Sequence, residues 1–527
     1  MFQPRLLHNF LIDTAEKYNS KEALVFGSHR MTYGELNDRS TQFANSLIEL
    51  GIQRHDRVII FLDNSIESII SIWGILKTGA VFIVLNGSIK PNKLEYIIKD
   101  SGATIIIADL QKYDVVNSAL LNKINGIKVI LVGANFADIS VSISNFYFED
   151  LISQQNISLS KKLSIQFDKI IDYDLATLIY TSGSTGEPKG VISSHFNMIS
   201  AARSIIEYLE NDNNDIILEV LPLSFDYGLY QMLMSTMFGG TLILETSFMF
   251  PIKIIELIEN EKVTGFPIVP TIISLLLKMK DIENYKLNSL RYISNTGAAF
   301  PVPHIQKFNK IFPHIKIYSM FGLTECKRIA YLPPEEISKR PASVGKAIPN
   351  CEVFIMDESG KEVSAGEVGE LVVRGSNVMR GYWNAPELTE KVYRKGIYQG
   401  ETLLYTGDLF RKDDDGFLYF LGRKDDMIKS KGERISPKEI ENILCSINGV
   451  AESAVIGVPD EILGQAIKAF IVIKDGWKIE TNDILFYCSK NMESFMVPKH
   501  IEFVKELPKS PNGKIDKKIL KQELLNQ

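Results

Sequence analysis

The sequence predicts an α/β protein in which a large N-terminal domain of βα-layered subdomains carries a small β-rich unit and is followed by a small α+β C-terminal domain. Three observations carry that prediction. Short β-branched blocks alternate with stretches that are apolar at helical spacing through most of the chain. From about Gly345 the texture changes to short strands separated by Gly, Asp and Pro turns. The charged stretch Arg423-Lys-Asp-Asp426 then precedes a last hundred residues with a helix start of their own. A chain of 527 residues, at roughly 150 per domain, has room for three to four such units.

Taken in order, Leu36, Phe43, Ala44, Leu47 and Ile48 share one helical face, and Gly51 supplies the stop. Arg57 to Leu62 reads as a buried strand, Ser65 to Leu76 as a helix and Val81 to Leu85 as the next strand. Thr104 to Ala108 and Lys128 to Val132 repeat the short apolar theme, which predicts right-handed βαβ units and a mostly parallel sheet. In the β-rich unit, Glu352 to Met356, Gly369 to Arg374 and Phe417 to Leu421 read as strands. Ser436-Pro-Lys-Glu439 combines a cap, a proline at the first helical position and an acid three residues on, so a helix begins there.

Composition narrows the function classes. Apolar residues make up 45% and charged residues 23%, as in folded globular proteins. Lys plus Arg number 58 against 64 Asp plus Glu, a net charge of −6, which argues against a dedicated nucleic-acid binder. The cysteines, Cys326, Cys351, Cys445 and Cys488, have neither disulfide-framework nor zinc spacing. The apolar stretch Ser68 to Leu85 is broken by Lys77, Gly74 and Gly79, and the first residues lack a signal-peptide pattern. The expectation is a cytoplasmic protein with no membrane and no nucleic-acid partner.

The densest chemical signal is Thr181-Ser-Gly-Ser-Thr-Gly-Glu-Pro-Lys-Gly190, directly after an apolar strand. Glycines admit phosphate oxygens to backbone N–H groups, hydroxyls add donors and a lysine adds a point charge. The order differs from the P-loop, since Pro188 precedes Lys189 and Gly190 follows it. A flexible surface turn is the plain alternative.

This string resembles the signature of the adenylate-forming enzymes: acyl-CoA synthetases, peptide-synthetase adenylation domains and luciferases. Further motifs follow in the family's order, in Met320-Phe-Gly-Leu-Thr-Glu325, Tyr405-Thr-Gly-Asp408, Gly422-Arg-Lys-Asp-Asp426, Lys429-Ser-Lys-Gly432 and Pro511-Asn-Gly-Lys514, so the resemblance spans the chain. It implies ATP and Mg²⁺ as cofactors. Thr181, Ser182, Gly183, Ser184, Thr185, Gly186, Lys189, Gly297, Ala298, Phe321, Gly322, Asp408 and Arg423 are implied to hold the nucleotide, with Asp408 on the ribose hydroxyls. Thr324, Glu325 and Lys514 are implied as catalytic, Glu325 also as the magnesium ligand. The family's C-terminal domain is mobile. Residues 1–424 and 425–527 are accordingly expected as the two domains, with a hinge at Asp425 and a thioester-step loop at Lys431 and Gly432.

The pair Phe225-Asp226 resembles amino-acid adenylation domains, where the aspartate binds the substrate's α-ammonium group. An internal pair with Lys327 or Arg328 is the competing explanation of that acid. Phe225, Asp226, Tyr227, Tyr230, Pro267, Thr296, Met320 and Ile329 are implied to line a small acid pocket. The resulting expectation is activation of a proline-like amino acid to its aminoacyl-AMP, then transfer to the phosphopantetheine thiol of a separate carrier protein. The alternative is an acyl-CoA synthetase using a carboxylic acid and free CoA. A non-catalytic nucleotide-binding protein is the third reading, and the lysine loop speaks against it. His195 reads as structural, because an ionised carboxylate nucleophile needs no general base.

Overall fold

The computed structural model describes residues 5–120, 126–133, 145–153, 170–182, 187–298, 300–424, 426–430, 433–460, 464–493, 496–510 and 514–525. Two large sheets organise the N-terminal domain. In the seven-stranded one, Asn145–Tyr147, Lys128–Val132, Ile105–Asp109, Arg57–Phe61, Val81–Val84 and Leu175–Ser182 run in that order, with Pro188–Ser194 antiparallel at the edge. The nine-stranded sheet runs Lys346–Ala347, Ala330–Leu332, Lys316–Phe321, Tyr292–Asn295, Gly265–Ile268, Ile216–Glu219, Thr241–Leu244, Glu22–Phe26 and His29–Thr32. The parallel core expected from the alternating pattern is therefore divided between two sheets.

Strand alternation explains how one apolar run serves two layers. Val58 and Ile60 join the large core shared with the nine-stranded sheet, while Ile59 and Phe61 enter a second core against the helices Pro91–Ser101 and Tyr113–Leu120. A strand buried on both faces needs a continuous apolar run rather than alternation. The helix Ile66–Thr78 shows the same logic, with every residue from Ser68 to Thr78 buried. Its Lys77 is tolerated because Nζ donates to Asn37 O, Asn37 Oδ1, Ser40 Oγ and Thr41 Oγ1 at 2.8–2.9 Å. Among the described residues no helix is long and apolar enough to cross a membrane.

The β-rich unit pairs Cys351–Met356, Val368–Gly375, Thr402–Lys412 and Tyr393–Lys395, with Leu418–Arg423 against Thr402–Lys412. The C-terminal domain packs the helices Pro437–Ser446 and Thr481–Asn491 around its own five-stranded sheet. Ser436 caps the first of these helices as expected, its Oγ accepting from Glu439 N at 3.3 Å. His195 is buried and structural: its Nδ1 accepts from Leu7 N at 3.1 Å, and burial pulls its pKa down to about 4.

Candidate active site

A cavity of about 1640 Å³ opens where the C-terminal ends of strands from both large sheets meet the β-rich unit and the loop carrying Lys514. Its phosphate-like corner is built by a hairpin. Leu175–Ser182 and Pro188–Ser194 pair antiparallel, so Thr181 lies opposite Lys189, and both line the cavity. Gly183, Ser184, Thr185 and Gly186, and the side chain of Ser182, lie outside the described residues, as do Asp425, Lys431 and Gly432.

The turn after Lys316–Phe321 contributes Phe321, Gly322, Thr324 and Glu325 to the wall. Gly322 is required by packing, because a Cβ there would stand 2.3 Å from Lys327 O. Phe321 is fixed against Phe410 and Phe420, at centroid distances of 4.9 and 5.7 Å. Glu325 Oε1 accepts from the Tyr382 hydroxyl at 2.7 Å, and its backbone carbonyl accepts from Met379 N. The carboxylate is thus aimed rather than free to wander.

Asp408 and Arg423 face each other across two paired strands, Nε to Oδ1 3.3 Å. Asp408 is only 2% exposed and its Oδ1 makes no hydrogen bond, so burial pushes its pKa up to about 7. A buried carboxylate oxygen without a donor fits a ligand that brings hydroxyl groups. This is the observation by which the site suits a ribose.

Lys514 arrives from the far end of the chain. A Cβ added to Gly297 would sit 3.3 Å from Lys514 Cε and 3.4 Å from Phe225 Cζ, and Gly297 has φ +84°. Glycine suits the left-handed backbone there and leaves room for the lysine. The ammonium stands 5.8 Å from the Phe225 ring centroid. Crowding by protein lowers its pKa, opposed by the charges of Asp226, Asp408 and Glu325. Chain segments distant in sequence therefore bring Lys514 together with Asp226, Glu325 and Asp408 at a common cavity.

At the acid end, Asp226 has a partner within the protein. This residue opens the helix Asp226–Phe238 and lines the cavity, but its charge is already matched. Lys327 Nζ lies 3.6 Å from Asp226 Oδ2 and donates to Asp226 O at 2.8 Å. Both residues are buried, and the helix N-terminus adds a favourable field. The internal pair named as the competing explanation is therefore present. Phe225, Tyr227, Thr296, Met320, Gly297 and Ala298 line the cavity as expected, whereas Tyr230, Pro267 and Ile329 do not. Tyr230 is one helical turn behind Asp226 and fully buried beneath Lys327, which is 4.5 Å from its ring. Ile329 faces the core of the β-rich unit instead, and Pro267 is buried in its strand.

Lys327 and Arg328, named from the sequence only as internal partners, are themselves lining residues. The signal was their position directly after the Glu325 turn. Removing one partner of a buried pair leaves the other charge uncompensated, so Asp226→Ala is expected to destabilise the fold by about 3 kcal/mol or more. Adding Lys327→Met to Asp226→Ala should restore much of that loss in urea unfolding. No recovery in the double variant would remove the pairing as the reason for the acid.

Comparison with known proteins follows the same outline. The AMP-binding enzyme family profile matches residues 11–383, and the AMP-binding enzyme C-terminal domain profile matches residues 439–514. A long-chain-fatty-acid–CoA ligase of Bacillus subtilis is 30% identical, over 98% of this chain and 94% of its own. The solved structure of the anthranilate CoA ligase AuaEII in complex with anthranoyl-AMP gives a TM-score of 0.88 at 27% identity, covering 99% of this chain and 98% of that one. ATP-bound MatB from Rhodopseudomonas palustris gives 0.86 at 26% identity, over 99% of both chains.

Proposed function

The chain belongs to the AMP-binding enzyme family and is an AMP-forming acid–thiol ligase that uses ATP and Mg²⁺, and from that premise we propose that it joins a small carboxylic acid to the thiol of CoA. In the first half-reaction a carboxylate oxygen attacks the α-phosphorus of ATP, the bond to the β-phosphate bridge breaks, and pyrophosphate leaves. In the second, the thiol loses its proton, sulfur bonds to the acyl carbon, and AMP departs with the former carboxylate oxygen. The observation that carries the reading is Lys514, inserted beside Gly297 and Phe225 in the cavity that Asp408, Thr324 and Glu325 also line.

In this reading Thr181, Lys189 and the glycine segment hold the phosphates, Asp408 accepts from the ribose hydroxyls, and Arg423 opposes in part the effect of burial on Asp408. Lys514 offsets negative charge that accumulates as carboxylate and α-phosphate approach, a preorganised electrostatic contribution. Thr324 donates to the α-phosphate, and Glu325 holds the metal, which when bound supplies charge neutralisation at the phosphates. Residues 425–527 turn about Asp425 between the halves, withdrawing Lys514 and presenting Lys431 and Gly432. Glu325→Gln keeps the Tyr382 contact and removes the charge, so kcat should fall on the order of 100-fold with a raised magnesium requirement. An unchanged magnesium titration would move the metal elsewhere.

A second reading, proline-like amino-acid activation for a separate carrier protein, keeps one support, since Asp226 does line the cavity. Its pair with Lys327 speaks against it. Pyrophosphate release screened over short acids and amino acids tests the first half-reaction. Comparing free CoA with a phosphopantetheinylated carrier protein tests the second. Proline turned over strongly in preference to cyclopentanecarboxylate, with only the carrier as acceptor, would replace the CoA reading.

A further inference from the structure

Beneath the acid end of the cavity lies a charge that no carboxylate among the described residues pairs with. Arg328 is 1% exposed and lines the cavity, and no hydrogen bond reaches its Nε. Among the described residues no carboxylate comes within salt-bridge distance of it. Its surroundings are aromatic instead: the guanidinium carbon is 5.2 Å from the Tyr227 ring centroid, and the neutral hydroxyl of Tyr208 is its side-chain hydrogen-bond partner. Tyr227 is itself pinned, its hydroxyl donating to Ser294 O at 2.6 Å.

The acids nearby do not compensate. Asp226 is taken by Lys327 through the 3.6 Å pair and the 2.8 Å bond to its carbonyl. Glu219 is fully buried, its Oε1 accepts from Leu221 N and its Oε2 is unpartnered; burial drives its pKa well up, and among the described residues it makes no ion pair with Arg328. Glu325 is held by Tyr382 at the phosphate side. An arginine stays charged under all physiological conditions, and a buried charge without a counter-charge is costly. A cation–π contact recovers only part of that cost. An apolar side chain would fill an inert floor without that cost.

We infer that the acid activated at this site carries a second carboxylate that docks on Arg328, making the substrate class a short dicarboxylic acid of which one end is adenylated. The inference rests on the ligase reading above and adds the substrate class. The carboxylate to be activated lies toward Lys514, and the remote one completes the buried pair. Arg328 acts on substrate specificity and takes no part in bond making. A cationic ammonium at the same depth would meet Arg328 and Lys327, which disfavours amino acids.

The test measures pyrophosphate release for three- to six-carbon dicarboxylates, each against the monocarboxylate and the half-amide of equal length. A site left with an unpaired buried polar group rejects the lacking analogue strongly, so the best dicarboxylate should exceed its partner in kcat/KM on the order of 100-fold or more. Arg328→Met should reduce that ratio to about 10-fold or less, while KM for ATP stays within about 3-fold. ATP-dependent thermal stabilisation reports that the variant is folded, and the wild-type ratio decides by itself if it is not. Monocarboxylates matching the dicarboxylates, or an Arg328→Met enzyme that keeps the ratio, would overturn the inference and leave the ligase reading standing. Pyrophosphate release with no acid at all would sink both.

Discussion

Lys514→Ala is expected to slow acyl-adenylate formation by roughly 10²- to 10³-fold, the scale of a lost preorganised charge at a developing anion. The same variant, supplied with ready-made acyl-adenylate and CoA, should react within about 3-fold of wild type, because the lysine acts only in the first half-reaction. Loss of fold does not confuse the result. The loop is held by Ser510 N donating to Lys514 O at 2.7 Å and by Lys514 N donating to Ser510 Oγ at 3.3 Å, and both bonds survive alanine. Lys514→Arg should recover little, since a planar fork cannot occupy the space of a point charge beside Gly297. An equal loss in the two half-reactions would remove the division of labour between the Lys514 loop and the Lys431–Gly432 loop.

Asp408→Asn should have opposite effects on ligand binding and on stability. The ribose loses an ionised acceptor, and KM for ATP should rise by roughly 10- to 100-fold. The nucleotide-free protein should become more stable at pH 8. In the wild type the folded-state pKa is raised from 3.8 to about 7 by burial, so the folded form binds the proton more tightly than the unfolded chain. Stability contributed by this group is therefore constant below about pH 4, falls as pH rises toward 7, and is constant again above. The cost of holding the ionised form is on the order of 2–4 kcal/mol at pH 8, and asparagine removes it. Melting curves of the two proteins should converge near pH 4 and separate above 7, while ATP affinity of the wild type strengthens as pH rises through 7. A variant less stable than wild type at pH 8 would mean that the pair with Arg423 outweighs burial.

Much of the fold was legible because its determinants are local. Buried strands such as Arg57–Phe61 need consecutive β-branched residues, and the helix Pro437–Ser446 begins where Ser436 and Pro437 require it. The capping box of the helix Tyr33–Glu49, Thr32 with Glu35, is equally local. The division of the parallel core into two sheets was not readable, because apolar strands pair alike with any neighbour of suitable length. Nor was the aim of Ile329, whose single residue step from Arg328 turns it from the cavity into the β-rich core.

The sequence by itself determined the βα order, which is a matter of residue type and spacing. The nucleotide motifs, and Asp408, Glu325 and Lys514 as the charged set of one site, came from the resemblance to the adenylate-forming enzymes that those motifs carry. Only the tertiary structure decided that Asp226 has an ion-pair partner within the protein and that Arg328 has none among the described residues. Lys327 reaches Asp226 across 101 positions of chain, and whether a buried charge has a partner depends on ångström distances between such remote segments. A charge's worth changes from negligible in water to several kcal/mol in the interior over that same range, so the pattern of letters cannot report it.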